Sequence, residues 1–186
     1  LMQIVNILSG GRCHDILDHA RYALEQVLLT DLTEAVDLCS KAQHLFYVGR
    51  GVFYPVMMEG ALKMKEISYI HAEAYAAGEL KHGPFALLSP DTPVIAICTP
   101  GPAYEVMLGN MKEMKARGTP IVAFGNEDDG DVSDIADVVI PLPKAHMWTQ
   151  VLTSTVLLQL LAYHTANRLG REIDMPRNLA KSVTVE

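Results

Sequence analysis

Three times along this chain a short apolar run leads through a turn-forming stretch into a helical pattern, and that alternation constrains the fold more than any other feature. The run at 44–48 (HLFYV) is closed by Gly49-Arg50-Gly51 and followed by a helical pattern over 55–69. The run at 93–98 precedes a helical pattern over 101–117, and a further run covers 120–124. Another at 138–141 leads to a long helical pattern over 147–168. Strands separated by helices of a dozen residues or more pair in parallel, because parallel neighbours need a connection of that length, closed by a right-handed crossover. The expected architecture is therefore a three-layer α/β/α sandwich. Ligands of such sheets collect outside the carboxyl ends of the strands. The turns at 49–54 and 99–104 are accordingly the expected active crevice.

At 186 residues the chain suits one well-cored domain. Its hydrophobic fraction of 49% with only 6% aromatics matches strands and helices built from Val, Ile, Leu, Ala and Met. Ahead of the first strand, Ile16, Leu17, Ala20, Leu24, Val27 and Leu28 recur at helical spacing, and Asp31 or Thr33 can restart a second helix. Residues 1–43 thus read as lead-in helices, 44–170 as the α/β domain and 171–186 as a C-terminal tail. On local evidence that tail is loosely held, with Gly170 a helix stop and Pro176 a further break.

The formal net charge of −7, without a basic cluster, argues against a nucleic-acid partner. Cys13, Cys39 and Cys98 are odd in number, far apart and without CxxC spacing, so neither a disulfide framework nor a zinc knuckle is expected and a reducing cytoplasm is the simplest compartment. Residues 1–8 are too short and polar for a signal peptide. The longest apolar stretch, 151–166, is interrupted by Gln159 and His164, so no membrane span is expected. No cofactor or metal is expected either. Gly49-Arg50-Gly51 lacks the full dinucleotide fingerprint and the P-loop Lys-Ser/Thr, Thr99-Pro100-Gly101-Pro102 offers one hydroxyl and two non-donating prolines, and the histidines are dispersed.

Two segments carry candidate chemistry. Over 55–69, Glu59, Lys63 and Glu66 fall at i, i+4 and i+7 on one stripe, opposite an arc of Val56, Met57, Gly60, Ala61, Met64 and Ile67. Spacing alone leaves two readings: a solvated face laced by an ordinary Glu59–Lys63 pair, or a carboxylate beside an ammonium facing a crevice, able to act as base and charge stabiliser. The segment 72–84, AEAYAAGELKHGP, crowds Glu79, Lys81 and His82 against a Gly-Pro stop. It reads as a short polar helical turn whose histidine is either solvated or a proton carrier near neutral pH.

The combination GRGVFYPVMMEGALKMKEISYIHAEAYAAGELKHGP at 49–84 with PRNLAKSVTVE at 176–186 closely resembles the glucosamine-6-phosphate synthase family, the glutamine:fructose-6-phosphate amidotransferases. The resemblance spans about 44–186 and corresponds to the second of the two sugar isomerase (SIS) modules at the end of those enzymes. It implies a flavodoxin-like five-stranded parallel sheet flanked by helices. It further implies that Glu66 moves a proton between C1 and C2 of the open-chain sugar and that Lys63 supports the developing charge. His82 would assist ring opening, reaching the site from the neighbouring subunit of a homodimer. Lys181 would contact the open-chain ketose or form a Schiff base with it, and Ala180 would line the pocket. The implied partners are fructose 6-phosphate and glucosamine 6-phosphate, in the supply of amino sugars for UDP-N-acetylglucosamine, with no cofactor.

Two departures from the family pattern shape the expectation. The glutaminase module with its nucleophilic cysteine is missing from these residues, and so is the Ser/Thr-rich phosphate loop of the first SIS module. The chain is then expected to be the isomerase end only, binding its sugar weakly and turning over little alone. The alternative is a non-catalytic SIS module that binds a phosphosugar as a signal. Such a module would not need Glu66, Lys63, His82 and Lys181 together, and would need a good phosphate loop.

Overall fold

The computed structural model describes Ile7, Gly10, residues 14–126 and residues 128–179. Helices α1 (His14–Val27) and α2 (Thr33–Lys41) precede strand β1 (His44–Gly49). Next come α3 (Phe53–Ser68), β2 (His71–Ala76), 3-10 turns at Ala77–His82 and Pro84–Leu87, β3 (Val94–Ile97) and α4 (Tyr104–Lys115). The described elements end with β4 (Ile121–Gly125), the short α5 (Gly130–Ser133), β5 (Val138–Pro141) and the long α6 (Met147–Arg168).

The five strands form one parallel sheet in the order β2-β1-β3-β4-β5. Helices cover both faces, so the central strands are apolar throughout: every residue of VIAI in β3 and of IVAFG in β4 is buried. Successive side chains alternate between the faces and build two cores. Leu45, Tyr47, Ile95, Ile97, Val122 and Phe124 face Met57 and Met64 of α3 and Leu157, Leu158 and Leu161 of α6. Phe46, Val48, Val94, Ala96, Ile121 and Ala123 face Met107, Met111 and Met114 of α4. The three-layer sandwich and the five-stranded parallel sheet are thus both present.

Val27 from α1, Leu32, and Ala35, Val36 and Cys39 from α2 lie in the first of these cores. Asp31 turns the chain into α2, its carboxylate accepting the Thr33 amide at 2.9 Å and the Thr33 hydroxyl at 2.6 Å. At the other end of β1, a Cβ on Gly49 would sit 2.8 Å from the Phe53 carbonyl oxygen. Only glycine lets the strand turn this tightly into α3.

Segment 72–84 differs from the sequence expectation of a polar helical turn. Its first part is β2, and only its second part is a turn, running to His82. HAEAYA is rich in alanine and low in β-branched residues, so its strand propensity is weak. Pairing with β1, in register from His44↔His71 to Gly49↔Ala76, supplies the hydrogen bonds that make this edge strand.

Candidate functional site

Helix α3 buries Val56, Met57, Gly60, Ala61 and Met64, while Ile67 packs partly buried at the rim of the same core. Burial of that arc turns Glu59, Lys63 and Glu66 outward. The Lys63 ammonium donates to Glu66 Oε2 at 2.6 Å and lies 3.7 Å from Glu59 Oε1. Both members of the Lys63–Glu66 pair are half-buried, with side chains 32% and 28% exposed. The hydrogen bond to Glu66, opposed by partial burial and aided by the charges of both carboxylates, holds the Lys63 ammonium above its usual pKa. Lys63 is therefore a fixed cation at neutral pH. Among the described residues Glu66 Oε1 accepts no hydrogen bond, which leaves it a carboxylate oxygen able to take a proton.

The pair sits at the C-terminal end of α3, and the tail returns to that end. Tyr69, next after the helix, adopts the left-handed conformation with φ 66°. Its phenol oxygen accepts the Arg177 backbone N–H at 2.9 Å. Its ring also carries the Arg177 guanidinium at 4.3 Å and that of Arg171 at 5.4 Å from the centroid. Sequence reasoning missed Tyr69, Arg171 and Arg177. Ordinary spacing could not join positions about a hundred residues apart, although a tyrosine where a helix would normally take its glycine stop was a legible oddity.

His82 is exposed at the end of the turn beyond β2. Strand β2 starts just after α3 ends and runs back along the helix, so that it finishes about 20 Å from the C-terminal end of α3. Among the described residues no hydrogen bond or ion pair joins His82 to Lys63 or Glu66 of the same chain. Ala180 and Lys181 lie outside the described residues.

A cavity of about 390 Å³ opens at the carboxyl ends of β1 and β3, where the strand order reverses, lined by Arg50, Gly51, Thr99, Gly101, Tyr104 and Gln150 among others. The expected turns do enclose a hollow, but Lys63 and Glu66 are not among its lining residues. They stand ten residues or more beyond Phe53, about 15 Å further along the α3 axis. The structure thus separates the crevice of the strand ends from the charged pair. At the start of β2, His71 Nε2 lies 3.4 Å from Glu73 Oε1, and Glu73 Oε2 accepts the Tyr75 hydroxyl, pushing that phenol up to about 12. Among the described residues no group of three or more His, Cys, Asp or Glu is placed to hold a metal ion, and no helix is long and apolar enough to cross a membrane.

The family model of the SIS domain matches residues 38–167. The isomerising glutamine–fructose-6-phosphate aminotransferase of Methanosarcina mazei is 55% identical over 148 residues, covering 80% of this chain and 24% of that protein. The same enzyme of Thermus thermophilus is 51% identical over 146 residues, covering 78% and 24%. Among solved structures, the C-terminal domain of glucosamine-fructose-6-phosphate aminotransferase from Francisella tularensis superposes with a TM-score of 0.78 at 35% identity, over 89% of this chain and 47% of that one. The chain spans about a quarter of the length of the curated relatives it matches.

Proposed function

Because the chain belongs to the SIS domain family, we propose that it works as the last module of an isomerising glutamine–fructose-6-phosphate aminotransferase. Its part is the proton transfer that turns a fructose 6-phosphate imine into glucosamine 6-phosphate. The observation that carries this reading is the Lys63–Glu66 pair, 2.6 Å apart and half-buried on one stripe of α3. Relatives 44–55% identical to this chain bear the aminotransferase name and support the assignment.

The chemistry asks little of the protein beyond placement. Ammonia condenses with the C2 carbonyl of the open-chain ketose and water leaves. Glu66 then takes a proton from C1 as the imine nitrogen gains one, giving an enolamine; the proton held by Glu66 is returned at C2 while the C1 hydroxyl gives up its own and C1 becomes the aldehyde. A carboxylate serves as this base only if the sugar is opened and its C2 polarised beforehand. Lys63, held cationic by Glu66, offsets the negative charge that develops as the C1 proton departs. Lys181 engages the open-chain sugar and Ala180 lines the site beside it. Arg177 rests on Tyr69, one turn from Glu66, and four further residues reach at most about 14 Å.

His82 opens the sugar ring across a homodimer, serving the neighbouring subunit's site; its place beyond the far end of β2 supports this over a role beside its own Glu66. Sugar phosphates are the ligands, and the glutaminase and first SIS modules of the complete enzyme supply ammonia and hold the phosphate. The product feeds amino-sugar synthesis toward UDP-N-acetylglucosamine. Buried free thiols at Cys39 and Cys98 suit a cytoplasmic setting.

The test replaces the final quarter of a full-length relative with this chain and assays glucosamine 6-phosphate formation. Glu66→Gln lowers turnover by about 10²- to 10⁴-fold, the usual worth of a positioned base, and Lys181→Ala lowers it strongly. Unchanged rates in both variants refute the catalytic assignment.

A further inference from the structure

Taking the Lys63–Glu66 pair as the acid–base centre, as proposed above, we propose that Tyr69 is a positioning residue that anchors the C-terminal tail against the end of α3 and so sets where Lys181 works. Three contacts converge on this one side chain. The phenol oxygen accepts the Arg177 amide at 2.9 Å, and the two guanidiniums of Arg177 and Arg171 lie 4.3 Å and 5.4 Å from the ring centroid. The hydrogen bond fixes the tail's backbone, and the cation–ring contacts fix its direction on either side of Pro176. Asn178, in the left-handed region at φ 61°, then turns the chain immediately after the anchor.

Conformation points the same way. Tyr69 is itself left-handed at φ 66°, in the position after a helix where glycine is the unstrained choice. A large aromatic there is less stable than glycine as a helix stop, so its presence answers to a demand other than ending the helix. Lys63 and Glu66 lie in the last two turns of α3, and Tyr69 follows directly on its last residue. A tail tied to Tyr69 is therefore tied to the frame that holds the base.

Strain makes the decisive variant available. Tyr69→Gly relieves the left-handed backbone while removing the anchor, so a helix-capping role predicts equal or higher stability with normal turnover. Positioning predicts equal or higher stability with impaired turnover. The measurements use the full-length aminotransferase ending in this chain: steady-state kinetics, unfolding temperature, and hydrogen–deuterium exchange at the Arg177 amide. Tyr69→Gly should lower kcat about 10- to 30-fold and Tyr69→Phe, which keeps the ring, only about 2- to 5-fold. KM for fructose 6-phosphate should move by less than about twofold, since the phosphate is held by another module. Exchange at Arg177 should accelerate in both variants.

Normal kcat in Tyr69→Gly, with Lys181→Ala impaired, overturns the proposal. Unchanged Arg177 exchange in Tyr69→Gly overturns it too. Full turnover in Lys181→Ala is a different failure: it removes the role assigned to Lys181, and positioning with it, while the exchange data still report whether Tyr69 holds the tail.

Discussion

Gly60 and Gly109 sit in the interiors of two long helices of this domain, and replacing each by alanine should move stability in opposite directions. Alanine is favoured over glycine in a helix interior by about 0.8–1.0 kcal/mol. At Gly109 of α4 an added Cβ meets nothing within 4 Å, so Gly109→Ala should stabilise by about 0.5–1 kcal/mol. At Gly60 of α3 the same Cβ would lie 2.8 Å from Leu158 Cδ1, 3.1 Å from Tyr47 Cε1 and 3.2 Å from Leu158 Cβ. Carbon atoms rest comfortably at about 3.5–4.0 Å. Leu158 is 1% exposed and Tyr47 is fully buried, so neither can swing into solvent to make room. Overpacking of this kind costs about 1–3 kcal/mol. Set against the propensity gain, Gly60→Ala should destabilise by about 1 kcal/mol, a fall of about 2–4 °C in unfolding temperature at this chain length. Urea titrations of both variants at constant m decide the matter. Leu158→Ala should relieve the clash, so the two substitutions together should cost less than their sum. Equal stabilisation by Gly60→Ala and Gly109→Ala would refute the packing of α3 on α6 described above.

Burial holds the Cys39 thiol at about 12 against an ordinary 9.0, so the folded chain keeps the proton that the unfolded chain releases. The contribution is complete below pH 9 and lost as pH rises through 12, and the denaturation midpoint should fall across that window more steeply in wild type than in Cys39→Ala. Equal slopes would exclude it. Asp129 Oδ1 accepts both the Val132 amide at 3.2 Å, capping α5, and the Tyr104 hydroxyl at 2.7 Å. Asp129→Ala should cost about 1–2 kcal/mol and Tyr104→Phe less, read by thermal unfolding, and no loss in either would show that the cap does not hold α5 in place.

Most of the α/β framework is legible in the chain because its signals are local. Four apolar runs mark β1, β3, β4 and β5, and the helical pattern over 147–168 coincides with α6. The stripe of Glu59, Lys63 and Glu66 follows from the period of α3 alone, and the arc opposite it supplies five buried positions. Strand β2 escaped because alanine-rich HAEAYA has no strong strand preference of its own; its hydrogen bonds come from β1, 27 positions earlier at His44↔His71. The short α5 escaped because four residues are too few to show a period.

For the candidate site the division has the same origin. Local spacing determined that a carboxylate and an ammonium share one face of α3, since that depends only on 3.6 residues per turn. Tertiary structure decided which end of the molecule the face serves. The hollow at the strand ends lies about 15 Å away along α3, while Tyr69 draws Arg177 back to the end of α3. Such contacts join residues more than a hundred positions apart, and they exist only once burial of the α3 arc against α6 has fixed the helix in place.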